Sequence, residues 1–257
     1  MSLKLKGLYI GCLLVSLMAL IPATATAQTL GFDFSVPPQV TAGEAPLVWY
    51  TDRYAPAGFT TASGVLSETV TPAGFNPTES FYNTQGNKFD LLAGTNSVSI
   101  EVYVPTAWET SNERLAGFWA TAVNSGYVVG NDYPIIEFQG PIVSCIPGPS
   151  CYPNGGAGFY GWNNTGAGSW DYIGLPADFR YNAWYKLTMT LSSGQFMYIV
   201  SDTNGENAVS LSSPLYDPTE LYLGNVILEG YNYDNTSTIK WKLLKFSFNS
   251  NGQIVWN

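Results

Sequence analysis

The chain has 257 residues, of which 15% are aromatic and only 11% charged, with 10 Lys+Arg against 19 Asp+Glu. That balance excludes a disordered polyelectrolyte, and it leaves too few cations to clamp nucleic-acid phosphates. Histidine is absent, which excludes Ser-His and Cys-His triads and deprives any zinc site of imidazole ligands.

Residues 1–27 combine Lys4 and Lys6, an apolar run from Leu8 to Ile21, and the small residues Ala25-Thr26-Ala27. This pattern predicts a secretory signal cleaved near Ala27, and hence an extracellular or periplasmic protein. Cleavage removes Cys12 and two cations, leaving 8 against 19 and a mature net charge of −11. No later stretch approaches the roughly 20 apolar residues of a membrane span. The remaining cysteines, Cys145 and Cys151, flank Ile-Pro-Gly-Pro-Ser; in an exported chain they predict a local disulfide.

Residues 28–257 read as one all-β domain, because Gly and Pro are spread throughout and no linker, repeat or charge block divides them. Residues 30–90 carry no assignable motif. Residues 97–104 alternate, with Val98, Ile100, Val102 and Val104 on one face and Glu101 on the other, as a half-buried strand requires. On a strand over 133–139, Tyr133, Ile135, Glu137 and Gln139 share a face. Residues 159–172 read as strand, loop, strand, with Tyr160, Trp162 and Trp170 among Gly and Asn. Residues 184–191 and 195–202, joined by Ser192-Ser193-Gly194, predict a hairpin, and 221–229 and 239–248 two further strands. Asp202 to Asn207 lines up oxygen ligands, but Asn204-Gly205 reads as a tight turn. Lys240, Lys242 and Lys245 form the only cationic cluster, read as a solvated face or edge protection.

The segment Arg114–Gly140 carries Gly117-Phe118-Trp119 and, after a loop, Glu137-Phe138. It resembles the catalytic strand pair of laminarinase and lichenase type glucan hydrolases, whose second strand bears Glu-x-Asp-x-Glu. Aligned on Glu137 as the second glutamate, the first falls on Tyr133 and the aspartate on Ile135, so two of three carboxylates are missing. The strand succession over roughly residues 90–248 is also similar to the concanavalin A-like, laminin G-like jelly rolls. The resemblance implies an antiparallel β-sandwich with a concave sheet that meets carbohydrate. It implies no cofactor, and a structural calcium at no assigned position.

Three functions follow as expectations. The leading one is binding of an extracellular polysaccharide, with Tyr133, Gln139, Arg114, Tyr160, Trp162 and Trp170 as contacts, Trp162 and Trp170 exposed, and Trp119, Trp184 and Trp241 in the core. The second is an endo-acting glycoside hydrolase pairing Glu137 with Glu101 or Glu229, since such enzymes need two carboxyls about 5 to 9.5 Å apart. A polysaccharide lyase using Tyr and Arg ranks below it, for want of histidine. The third is a structural or adhesive surface protein.

Overall fold

Strands with one apolar and one polar face bury the apolar side by stacking two sheets. The computed structural model describes residues 27–44, 48–72, 82–111, 114–141, 156–166, 168–231 and 236–249, and they follow that scheme. In chain order the first strands are β1 (Ala27–Phe32), β2 (Val40–Thr41), β3 (Trp49–Thr51), β4 (Gly58–Ala62), β5 (Val65–Val70), β6 (Thr84–Asp90), β7 (Thr95–Val104) and β8 (Arg114–Asn124). They are followed by β9 (Ile135–Gln139), β10 (Gly158–Asn163), β11 (Ser169–Gly174), β12 (Ala183–Ser192), β13 (Gln195–Ser201), β14 (Val209–Pro214), β15 (Glu220–Tyr231) and β16 (Ser237–Asn249). The first sheet runs β14-β13-β12-β7-β16-β5-β4, with β1 also paired to β16, and the second β11-β10-β9-β8-β15-β6-β3-β2. Neighbouring strands pair antiparallel apart from the short parallel β2–β3 contact. Residues 1–26 of the expected signal and both cysteines, Cys145 and Cys151, lie outside the described residues.

The core lies between the sheets. Val98, Ile100, Val102 and Val104 of β7 join Leu187, Met189, Phe196 and Trp241 on one side and Phe118, Ile136, Phe138 and Leu228 on the other. The alternation read in 97–104 and 133–139 therefore holds. The expected hairpin also forms, with a tighter connection: Ser193 (φ 52°) and Gly194 (φ 74°) make a two-residue turn between β12 and β13, the doubly left-handed kind that suits strand twist. Asp202 closes the next turn by accepting the Asn204 and Glu206 amides.

Two features of the first sheet escape sequence periodicity. In β16, Lys242 lies opposite Glu101 but Lys245 opposite Ser99, so three steps on one strand match two on β7. Leu243 absorbs this bulge with φ 52°, and the inward set resumes at Leu244. On β5, Glu68 points into the core between Leu66 and Val70. Its Oε2 accepts the Trp241 indole N–H at 2.9 Å, and burial pushes its carboxyl up to about 8. Trp184, expected in the core, instead lies half-buried on the outer face of the first sheet against Tyr103, because Tyr185 takes the inward position.

Candidate functional site

Cross-strand register sets up the outer face of the second sheet. Glu137 on β9 lies opposite Gly117 on β8, and Gly117 lies opposite Glu229 on β15. Residues directly opposite share a face, so the two glutamates flank a glycine in one row. The row continues through Tyr160 and Tyr172 beyond Glu137, and through Gly86 beyond Glu229. The glycines are needed for clearance. A Cβ on Gly117 would stand 2.7 Å from Trp119 Nε1 and 3.3 Å from Glu229 Cγ, and one on Gly86 only 2.5 Å from Glu229 Cβ.

Hydrogen bonds hold both carboxylates. Trp119 Nε1 donates to Glu137 Oε1 at 3.1 Å, and Gln139 Nε2 to Glu137 Oε2 at 3.4 Å. Arg53 Nη1 reaches Glu229 Oε2 at 3.3 Å and Asp52 Oδ2 at 2.6 Å. Its guanidinium lies 5.2 Å from the Trp119 ring centroid and 4.8 Å from that of Tyr82. Glu137 is 3% and Glu229 1% exposed. Burial drives the Glu229 carboxyl far above the usual carboxylate range; Arg53 opposes the shift, while Asp52 and Glu137 add to it. Glu229 Oε1 and Gln139 Oε1 have no hydrogen-bond partner among the described residues.

Of the expected partners of Glu137, Glu229 is brought beside it and Glu101 is not. Glu101 lies on β7 in the other sheet, on the outer face, ion-paired to Lys242 at 3.1 Å. Tyr133 sits just before β9 with its ring 37% exposed. Burial, Tyr82 and Glu220 push its phenol upward while Arg53 pulls it down, so Tyr82 and Arg53 are electrostatic neighbours. Tyr160 is buried, its hydroxyl donating to the Gly156 carbonyl at 2.8 Å. Arg114 opens β8 opposite Gln139; its side chain lies outside the described set.

The tryptophan pair differs from expectation. Trp170 is 1% exposed and Trp162 half-buried, and their rings meet edge to face at 5.2 Å and 68°. They cannot form an open stacked platform. The reason is a second apolar cluster on this outer face, where Trp170 packs with Trp119, Ile135, Tyr160 and Ile227. Trp119 is thus buried as expected, but on the opposite side of the sheet from the main core. The exposed rings here are Tyr172 at 42% and Tyr82 at 47%, together with Tyr133. Sequence reading missed Tyr82, which lies in the stretch 30–90 without an assignable motif, and it did not set Arg53 beside Glu229.

No protein-family model matches the sequence, and curated proteins give no match. Solved structures do. The CBM2 module of the evolved Dit of Lactobacillus casei BL23 phage J-1 aligns with TM-score 0.52 at 11% identity, covering 88% of this chain and 98% of that one. Lectin II from Ulex europaeus aligns with TM-score 0.48 at 13% identity, over 86% and 97% of the two chains. A functionally unknown protein from Saccharomyces cerevisiae aligns with TM-score 0.48 at 11% identity, over 79% and 98%. Such likeness concerns the fold alone: the chain is an all-β sandwich of two stacked, mainly antiparallel sheets.

Proposed function

We propose that the protein is exported and binds an extracellular polysaccharide across the outer face of the second sheet. The supporting observation is the make-up of the Glu137–Glu229 row. Tyr172 stands at one end and Tyr82, against Arg53, at the other, with Tyr133 nearby and Glu137, Gln139 and Glu229 between them. Sugar rings stack their C–H faces on aromatic side chains, and the buried Glu137, Gln139 and Glu229 form the polar floor beneath those rings. The stacking role falls to the exposed tyrosines, since Trp170 is buried. The test is to incubate the mature protein with plant, algal and bacterial polysaccharides, measuring retention and released reducing ends together. Retention by one glycan class, lost in a Tyr133→Ala/Tyr172→Ala double variant, supports the reading; retention unchanged in that variant sinks it.

A second reading, an endo-acting glycoside hydrolase, is favoured by one observation, the placement of Glu137 and Glu229 about Gly117. Two strand spacings put their Cα atoms about 9.6 Å apart, which leaves the side chains room to approach glycosidase separations. Glu229, whose carboxyl is pushed upward by burial, would supply the general acid and Glu137 the nucleophile or base. Released ends abolished by either Glu137→Gln or Glu229→Gln, with retention kept, would identify the enzyme. Retention without release identifies a binding protein.

A further inference from the structure

The outer face of the first sheet, across the sandwich from Glu137 and Glu229, collects Lys186, Lys240, Lys242 and Lys245, four of the chain's 10 Lys and Arg. Lys186 on β12 and Lys242 on β16 both lie opposite Glu101 on β7, so one acid is flanked by two lysine positions. Lys242 takes it, with Nζ 3.1 Å from Glu101 Oε2. Lys240 is one pleat away, opposite Ser67. Strict alternation would turn Lys245 inward, but the bulge at Leu243 brings it opposite Ser99 and out to solvent on the same face. The outward positions of β5, β7, β12 and β16 hold no acid other than Glu101.

Two rings steady these cations. Lys242 Nζ lies 4.5 Å from the Trp184 ring centroid and Lys240 Nζ 5.6 Å from that of Tyr103, and the two rings pack 5.4 Å apart. Such contacts favour the cation at the ring face and limit its motion. Around them run hydroxyl rows, among them Ser97 against Thr190 at 3.1 Å, with Ser99 opposite Thr188. The chain as a whole is acidic, yet the carboxylates of the other sheet lie at least a sheet spacing of about 10 Å farther from a ligand here than the lysines do, and charge interaction falls with distance. A ligand on this face therefore meets the lysines more strongly than the carboxylates of the other sheet.

We propose that this face is a second binding surface and that it takes a sulfated polysaccharide. Charge complementarity calls for a polyanion whose charges are spaced like the lysines. The cations are lysines, whose compact ammonium presents three donors, whereas a planar carboxylate is matched best by the arginine fork. A sulfate ester, with three terminal oxygens, suits the ammonium, and the Ser and Thr rows offer donors and acceptors to sugar hydroxyls. The surface is independent of the Glu137–Glu229 row, so either proposal can fail alone.

Affinity electrophoresis of the mature protein through gels holding dextran sulfate, unsulfated dextran, polygalacturonate or poly-L-glutamate tests this. Retardation by dextran sulfate, absent with dextran and weakened by salt, is expected. The charge-removal variant Lys186→Gln/Lys240→Gln/Lys245→Gln should lose about tenfold or more in affinity, through lost counterion release. Glu101→Gln, which leaves the lysines in place and removes the one local acid, should move affinity severalfold the other way. Stronger retardation by polygalacturonate would overturn the sulfate assignment. Equal retardation by poly-L-glutamate, or a triple variant that binds like the parent while melting normally, would overturn the surface itself.

Discussion

Glu137 and Glu229 approach the same residue, Gly117, from the strands on either side of it. Neither carboxylate has a carboxylate neighbour on its own strand face, so the pair exists only because β9, β8 and β15 are adjacent and in register. The two also differ in surroundings: Trp119 and Gln139 donate to Glu137, whereas Glu229 is buried against Arg53, and that burial pushes its carboxyl upward.

Gly117→Ala tests that geometry. The new Cβ presses on Trp119 Nε1, the donor to Glu137, and on Glu229. Overpacking of this kind costs about 1–3 kcal/mol, read as a lower urea midpoint, and glycan retention should fall with it. Gly43→Ala is the control, since a Cβ there meets nothing within 4 Å, and its effect should stay within about 0.5 kcal/mol.

Glu68 should make stability fall as pH rises. Its ordinary value is 4.5 and burial lifts it to about 8 in the folded chain. Between those values the folded state keeps a proton that the unfolded state has released. Stability is therefore full below about pH 4.5, declines up to about pH 8 and is level beyond, by several kcal/mol in all. Glu68→Gln keeps an acceptor for Trp241 and should remove this share of the slope in urea unfolding at several pH values. An unchanged slope would show that Glu68 does not titrate in this window.

Glu220 and Asp132 tie two loops together. Glu220 Oε1 accepts the Asn131 and Asp132 amides at 2.6 and 3.2 Å, and the Asp132 carboxylate accepts those of Tyr216 and Asp217 at 3.0 and 2.8 Å. Burial and the neighbouring Asp132 push Glu220 up to about 8. Its contribution has the same sign as that of Glu68, present at low pH and lost as pH rises towards 8. Above that, two facing carboxylates repel, and the Tyr216 and Asp217 amides should exchange faster than base catalysis alone accounts for. Glu220→Gln can accept from the amides and donate to Asp132, so exchange there should stay slow. Because Tyr133 follows Asp132 directly, glycan retention should weaken in the same range.

Trp170 and Tyr172, two residues apart on β11, should separate stability from binding. Trp170→Ala empties a buried site and should cost about 3–5 kcal/mol, seen as a large drop in melting temperature. Tyr172→Ala removes an exposed ring at a cost of about 1 kcal/mol or less, yet should weaken retention. The opposite ranking in a paired melting and retention assay would reassign both rings.

Local alternation was enough to determine that the chain is built of strands, which residues of β7 face the core, that Glu137 and Gln139 face the other way, and where the β12–β13 hairpin turns. Each depends on a period of two within one segment, and that period is written in the residues themselves. The strands before residue 90 were illegible because several are too short to show a period. Sheet membership and register are long-range, and only the tertiary structure decided them. They moved Glu101 to the far sheet, set Glu229 beside Glu137 across Gly117, and turned Lys245 to the lysine face through the bulge at Leu243. They also buried Trp170, because the outer face of the second sheet carries an apolar cluster of its own, and no one-strand pattern can tell a ring covered by its neighbours from a ring left open to solvent.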